Sequence, residues 1–117
     1  MKKIVLTLAT FFLFVLITTA QSGGATTIEK IVLENAKMKV TEYTSAPGKD
    51  VCGSGKHSHP AHLTVLLTDA DVLVTLPDGK TVSQKAPAGA AFWSEAETHT
   101  VINSGKSPMK FYLVEAK

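Results

Sequence analysis

The chain has no arginine and a single cysteine, Cys52, among its 117 residues. Arginine is the usual reader of phosphates and base edges because its planar fork bonds two acceptors at once. Its absence, with twelve basic residues spread against ten acidic ones and no basic block, excludes nucleic acid as a partner. One cysteine cannot form an internal disulfide. Cys52 therefore reads as a free thiol, an intermolecular bridge, a metal ligand or a small buried residue. Beyond residue 20 the chain also lacks a sustained helical period, an internal repeat and a low-complexity tail, which excludes a helical bundle and a repeat array.

The one long apolar run lies at the start. Lys2 and Lys3 precede Ile4 to Ile17, and Thr18-Thr19-Ala20 supplies small residues for cleavage. This is the layout of a secretory signal peptide over residues 1–20, so export to a periplasm or the outside is expected. A membrane span wants about 20 apolar residues, more than this run offers, so no stable membrane insertion is expected after cleavage. An uncleaved anchor is the competing reading. Loss of Lys2 and Lys3 would cancel the formal charge of +2. Cys52 lies far beyond the leader, which argues against a lipid anchor at the mature N-terminus. Residues 21–27 are small and polar and read as a flexible lead-in; 28–117 read as one domain.

That domain reads as strands. Ile28 to Glu34 and Met38 to Thr44 mix β-branched, aromatic and charged residues in partial alternation. Leu63 to Thr68 is a continuous apolar run, expected to be buried on both faces. Val72 to Leu76 and Thr81 to Lys85 flank Pro77-Asp78-Gly79-Lys80, a hairpin signal. Ala86-Pro87-Ala88-Gly89 is a turn before Ala91-Phe92-Trp93. His99 to Asn103 and Met109 to Glu115 form a final pair around a Gly- and Pro-containing loop. Short strands with evenly spaced turns predict an all-β antiparallel sandwich or barrel. Tyr43, Tyr112, Phe92, Trp93, Met109 and Phe111 are expected to build the barrel wall or core.

Three of the four histidines lie in His57-Ser58-His59-Pro60-Ala61-His62, and His99 opens a later strand. In a strand, residues two apart share a face, so His57 and His59 aim at one point. Imidazole suits zinc, copper, iron and nickel. The pattern predicts a metal site of His57, His59, His62 and His99.

From His57 to Glu115 the chain resembles a cupin, a small jelly-roll β-barrel with a metal in its mouth. His57 and His59 match the histidine pair of that family's first motif. His99 and Asn103 match the histidine and asparagine of the second, and Lys85 to Trp93 matches its glycine turn and strand. The family's glutamate is absent; His62 falls in or next to its place, and Asp69 stands where a glycine is expected. Glu95 and Glu97 replace the proline and glycine that precede the last histidine, and they read as solvated surface acids. The resemblance implies one divalent transition metal ion (zinc, iron, copper, nickel or manganese) and a small-molecule substrate or ligand. It also implies a homodimer, for which the segment from Ile28 to Thr44 is a candidate edge.

Nitrogen donors alone disfavour calcium and magnesium. Three function classes follow: a metal-dependent oxygenase, lyase or isomerase; a non-catalytic metal- or ligand-binding protein; and a structural barrel with an empty site. Ser94 has no histidine–acid arrangement around it, which excludes a serine hydrolase.

Overall fold

The computed structural model describes Thr27 to Lys117; the expected leader and residues 21–26 lie outside the described residues. The described chain forms strands β1 (Thr27–Glu34), β2 (Met38–Ser45), β3 (His57–His59), β4 (His62–Leu66) and β5 (Ala70–Thr75). These are followed by β6 (Thr81–Ala86), β7 (Ala91–Ser94), β8 (Glu97–Asn103) and β9 (Met109–Ala116). They make a five-stranded sheet in the order β1-β2-β9-β4-β7 and a four-stranded sheet in the order β3-β8-β5-β6. Each named pairing is antiparallel. The expected all-β antiparallel jelly roll is the observed fold.

Alternation sets what each strand buries. Thr41, Tyr43 and Ser45 of β2 point inward, as do Val101 and Asn103 of β8 and Met109, Phe111 and Leu113 of β9. Tyr43 and Phe111 stack with ring centroids 5.3 Å apart, an arrangement that adds to the burial of their large apolar faces. The run after His62 departs from the expectation of burial on both faces. His62, Thr64 and Leu66 are buried, whereas Leu63 and Val65 are half-buried and Leu67 is exposed. A barrel strand has one inner face, and hydrophobicity on its outer face does not make it central.

Turns fall where glycine permits them. Gly79 and Gly89 hold positive φ, and Leu76 N–H donates to Lys80 O at 2.8 Å to close the hairpin. Strand β1 is exposed along nearly its whole length, with Ile28, Ile31 and Leu33 open to solvent and a register shift between Ile31 and Leu33.

The segment between β2 and β3 has no strand of its own, yet it is tied down. Gly48 N–H donates to Asn103 O at 2.7 Å, Asn103 N–H to Lys49 O at 2.9 Å, and Val51 N–H to Val101 O at 2.9 Å. It therefore runs beside β8 and carries Val51 and Cys52 into the core. Asn103, the residue matched to the cupin asparagine, anchors this corner. Its side chain is buried; Nδ2–H donates to Ser45 O at 3.1 Å and Ser107 O at 3.0 Å, and Oδ1 accepts from Gly105 N–H at 3.0 Å.

Asn103→Ala strands the buried Ser45 carbonyl, together with the Ser107 carbonyl and the Gly105 N–H, and is expected to cost about 2 kcal/mol. Denaturant unfolding of the variant checks this; an unchanged midpoint would remove the corner from the account of stability.

Candidate metal centre

Strand pairing brings the histidines together. In the β3–β8 ladder His57 lies opposite His99, and His59 lies opposite Glu97. Directly opposed residues on one face have Cβ atoms about 5 Å apart, and His57 and His59 share a face because they are two apart. The result is a group of side chains that sequence separation alone hides: the rings of His57 and His99 are 4.8 Å apart, those of His57 and His59 4.7 Å, and those of His59 and His99 5.6 Å. On the opposite face Ser58 Oγ and Thr98 Oγ1 lie 2.7 Å apart in a hydrogen bond that holds the two strands in register.

The fourth donor comes from the loop. Cys52 Sγ lies 3.1 Å from His57 Nε2 and 3.7 Å from His99 Nε2. One donor atom from each of Cys52, His57, His59 and His99 falls within 4.8 Å of the others. Three of the four histidines expected at the site are in this group. His62 stands beside it, its ring 5.3 Å from that of His59. The reason is topological. Pro60 and Ala61 carry the chain from β3 in one sheet to β4 in the other, so His62 approaches from a different wall.

The rings of His57, His62 and His99 are each held from behind by another group. His57 Nδ1 bonds Gly55 O at 2.8 Å and His62 Nδ1 bonds Pro60 O at 2.8 Å, which places the proton on Nδ1 in both neutral rings. His99 Nδ1 is 3.5 Å from Glu97 Oε1 and turns its Nε2 to Cys52. A carboxylate behind a ligating histidine is the usual device for fixing tautomer and ring orientation. Glu97 is thus half-buried and faces the histidines, in place of the solvated acid expected. Glu95 is exposed and accepts from Trp93 Nε1–H at 2.9 Å. Trp93 is 57 % exposed, so it is not the packed core residue expected; Phe92, 44 % exposed, stands in the barrel wall.

Two observations show that these donors fit a metal ion. His59 Nε2 is buried with no hydrogen-bond partner, a costly state for a lone pair unless something binds it. The set of three imidazoles and one thiol is also the chemistry of soft-to-borderline transition metals. In the metal-free chain burial pushes the Cys52 thiol up to about 12, with Glu97 and Asp50 adding to the rise. Burial lowers His59 to about 4, aided by His57, His62 and His99, and burial likewise lowers His99. Burial therefore favours the uncharged forms of Cys52, His59 and His99, and the sulfur becomes a ligand once its proton leaves.

The centre opens on a cavity of about 710 Å3. Cys52, His62, Glu97 and His99 line it together with the inner faces of both sheets and with the edge strands β6 and β7. Of the functional residues, Cys52 and Glu97 carry the weakest sequence signals. A carboxylate two residues before a ligand histidine in a strand is the signal for Glu97, because it places both on one face.

His59 sets a pH dependence in the metal-free protein. Its pKa is lower in the folded chain than unfolded, so between about 6.5 and about 4 the unfolded chain holds more protons. Stability is expected to fall as pH drops through that window, with a shallower fall in His59→Gln. Melting temperatures of the two chelated proteins from pH 7 to 4 check this; parallel curves would remove His59 as the source.

No protein-family model matches the sequence. The beta-alanine degradation protein BauB of Pseudomonas aeruginosa is 33% identical over 99 residues, covering 82% of this chain and 99% of that protein. Among solved structures, a cupin domain from Bordetella pertussis superposes with a TM-score of 0.69 at 28% identity, covering 78% of this chain and 93% of the other. A double-stranded β-helix protein from Klebsiella pneumoniae superposes with a TM-score of 0.61 at 22% identity, covering 79% and 77%; at that identity the likeness is one of fold. Sharing a third of its residues with BauB along nearly the whole of that protein, and built on the barrel of the cupin domains, this chain belongs to the BauB family and has the cupin fold.

Proposed function

We propose that the protein binds one transition-metal ion through Cys52, His57, His59 and His99 and uses it to act on a small organic molecule. The observation that carries this reading is the convergence of four donors within 4.8 Å at the end of a cavity of about 710 Å3. A cavity of that size suits a small molecule. The relative BauB is named for beta-alanine degradation, which supports a small organic molecule as the substrate.

The donor set narrows the metal. A thiolate supplies the negative charge that a glutamate supplies in the cupin pattern and shifts preference towards zinc, copper and ferrous iron over harder ions. A metal held there would act as a Lewis acid towards an oxygen of the bound molecule.

The chain's own residues do the rest. Glu97 keeps Nε2 of His99 pointed into the cluster. The Gly55 carbonyl does the same for His57. Val72, Val101, Phe111 and Leu113 line the cavity with apolar surface and exclude water from the molecule held there. Glu97 lies 3.5 Å from His99 Nδ1 and 3.8 Å from His62 Nε2, so His62 and Glu97 are polar groups of that lining beside the proposed centre. This arrangement suits turnover without an added electron or group carrier, as in a lyase or isomerase, and oxygen chemistry where the ion is redox-active.

Titration with cobalt tests the site. One equivalent is expected to bind with a near-ultraviolet thiolate-to-metal band and to release a proton, because ligation requires the Cys52 thiolate. Cys52→Ser is expected to lose the band and His57→Ala to lose most of the affinity, both with the fold retained. A protein that takes up no metal, or binds it equally well after both substitutions, overturns the assignment.

We also propose that two copies associate through β1, whose exposed Ile28, Ile31 and Leu33 lie at the edge of the larger sheet. A pairable, apolar edge left open is a liability that association removes. Sedimentation equilibrium is expected to give a dimer, and Ile31→Lys a monomer; a monomeric parent protein would refute it.

A further inference from the structure

Beside the proposed donors lie two acceptors that no single donor among the described residues satisfies jointly. His62 is 3% exposed, and the bond from its Nδ1 to Pro60 O puts the proton on that nitrogen. Its Nε2 therefore carries a lone pair in the neutral ring. That atom stands 3.8 Å from Glu97 Oε1. A carboxylate oxygen and an imidazole lone pair cannot bond each other. Both belong to residues that line the large cavity, and so do Cys52 and His99. A donor brought in from the cavity would serve both acceptors at once.

The remaining lining restricts what brings that donor. Lys85 is the only lysine of the cavity wall, and its Nζ is 3.4 Å from Asp71 Oδ2, so it is already paired. An anionic head group thus has one attractive destination, the metal centre, which three neutral imidazoles and one thiolate leave with net positive charge. Apart from Thr64, Ser83, Gln84, Lys85 and Ser94 the rest of the wall is apolar, with Leu66, Val72, Val74, Phe92 and Phe111 forming a surface that a compact polar molecule would leave uncovered.

We infer that the ligand of this cavity has three parts: an oxygen that binds the metal, an adjacent hydroxyl or amine that donates to His62 Nε2 and Glu97, and an apolar body that fills the space between the sheets. The inference rests on the metal reading above and goes beyond it by naming the substrate class. His62 and Glu97 become specificity-determining residues. They discriminate because a ligand without the donor leaves the buried His62 Nε2 desolvated and unpaired, a penalty larger than the gain from a good bond.

Trp93 is the chain's only tryptophan and lines the same cavity, so its fluorescence reports occupancy. Zinc-loaded protein, with zinc content measured in parallel, is titrated with four probes: 3-phenyllactate, phenylalanine, 3-phenylpropanoate and lactate. Phenyllactate or phenylalanine is expected to bind about tenfold or more tighter than phenylpropanoate, which lacks the donor. Whichever of the two binds tighter identifies the donor as hydroxyl or amine. Phenyllactate is expected to exceed lactate, which lacks the apolar body, by at least as much. In Glu97→Gln, still zinc-loaded, the preference over phenylpropanoate is expected to shrink; His62→Phe serves as the second variant, since it keeps a buried ring and removes the acceptor. Zinc-loaded protein that binds the four probes alike, or binds none, overturns this inference and leaves the metal centre standing. Protein that takes up no zinc overturns the centre and the inference with it.

Discussion

The pairing of β3 with β8 is the interaction on which the site depends. It is a short ladder, only His57 to His59 on one side, yet it sets His57 against His99 and His59 against Glu97. Slipping it by one residue would turn His57 and His59 to the outer face and bring Ser58 inward. The Ser58–Thr98 hydroxyl contact on the outer face and the Gly55 carbonyl behind His57 hold the register from both sides. The loop that delivers Cys52 depends on the same strand, because its backbone bonds go to Val101 and Asn103 of β8. One strand therefore carries a ligand, the carboxylate that orients it and the anchor for the sulfur.

Charge explains why a cysteine suits this position. A barrel of the cupin pattern with a glutamate among its ligands offers one negative charge to a divalent ion. Here His62 is in or next to the glutamate's place and offers no negative charge, and that charge would come instead from Cys52 in the loop before β3. The ion would see the same total charge in a softer shell. Glu97, 3.5 Å from His99 Nδ1, adds a second charge that acts through the ring.

Much of the fold was legible because its signals are local. The Pro77-Asp78-Gly79 turn, the Ala86 to Gly89 turn and the alternation of β8 and β9 each depend on a few neighbouring residues, and each strand appears where those residues predict it. The histidine pair is local in the same sense. What escaped depends on partners far along the chain. Leu63 and Val65 look like core residues until the sheet order shows that the face they occupy is the outer one. Trp93 and Phe92 fall on an edge strand that leaves them open. Cys52 reaches the cluster only through the bonds that lay its loop along β8, and nothing in Cys52-Gly53-Ser54-Gly55-Lys56 announces those bonds. The position of His62 turned on the crossing between sheets at Pro60, which sequence spacing alone could not resolve.

Gly53 has a consequence for how tightly the centre could hold an ion. A methyl group at this position would lie 2.7 Å from His57 Cγ and 2.9 Å from its Nδ1, so bare backbone passes directly beneath the ring. The imidazole is thus braced by main chain against one face and by the Gly55 carbonyl at Nδ1. Its rotational freedom is surrendered during folding, when the rest of the barrel offsets the loss. Binding then has little left to order, and the affinity of the site is set by bond strengths with almost no entropic tax on this ligand.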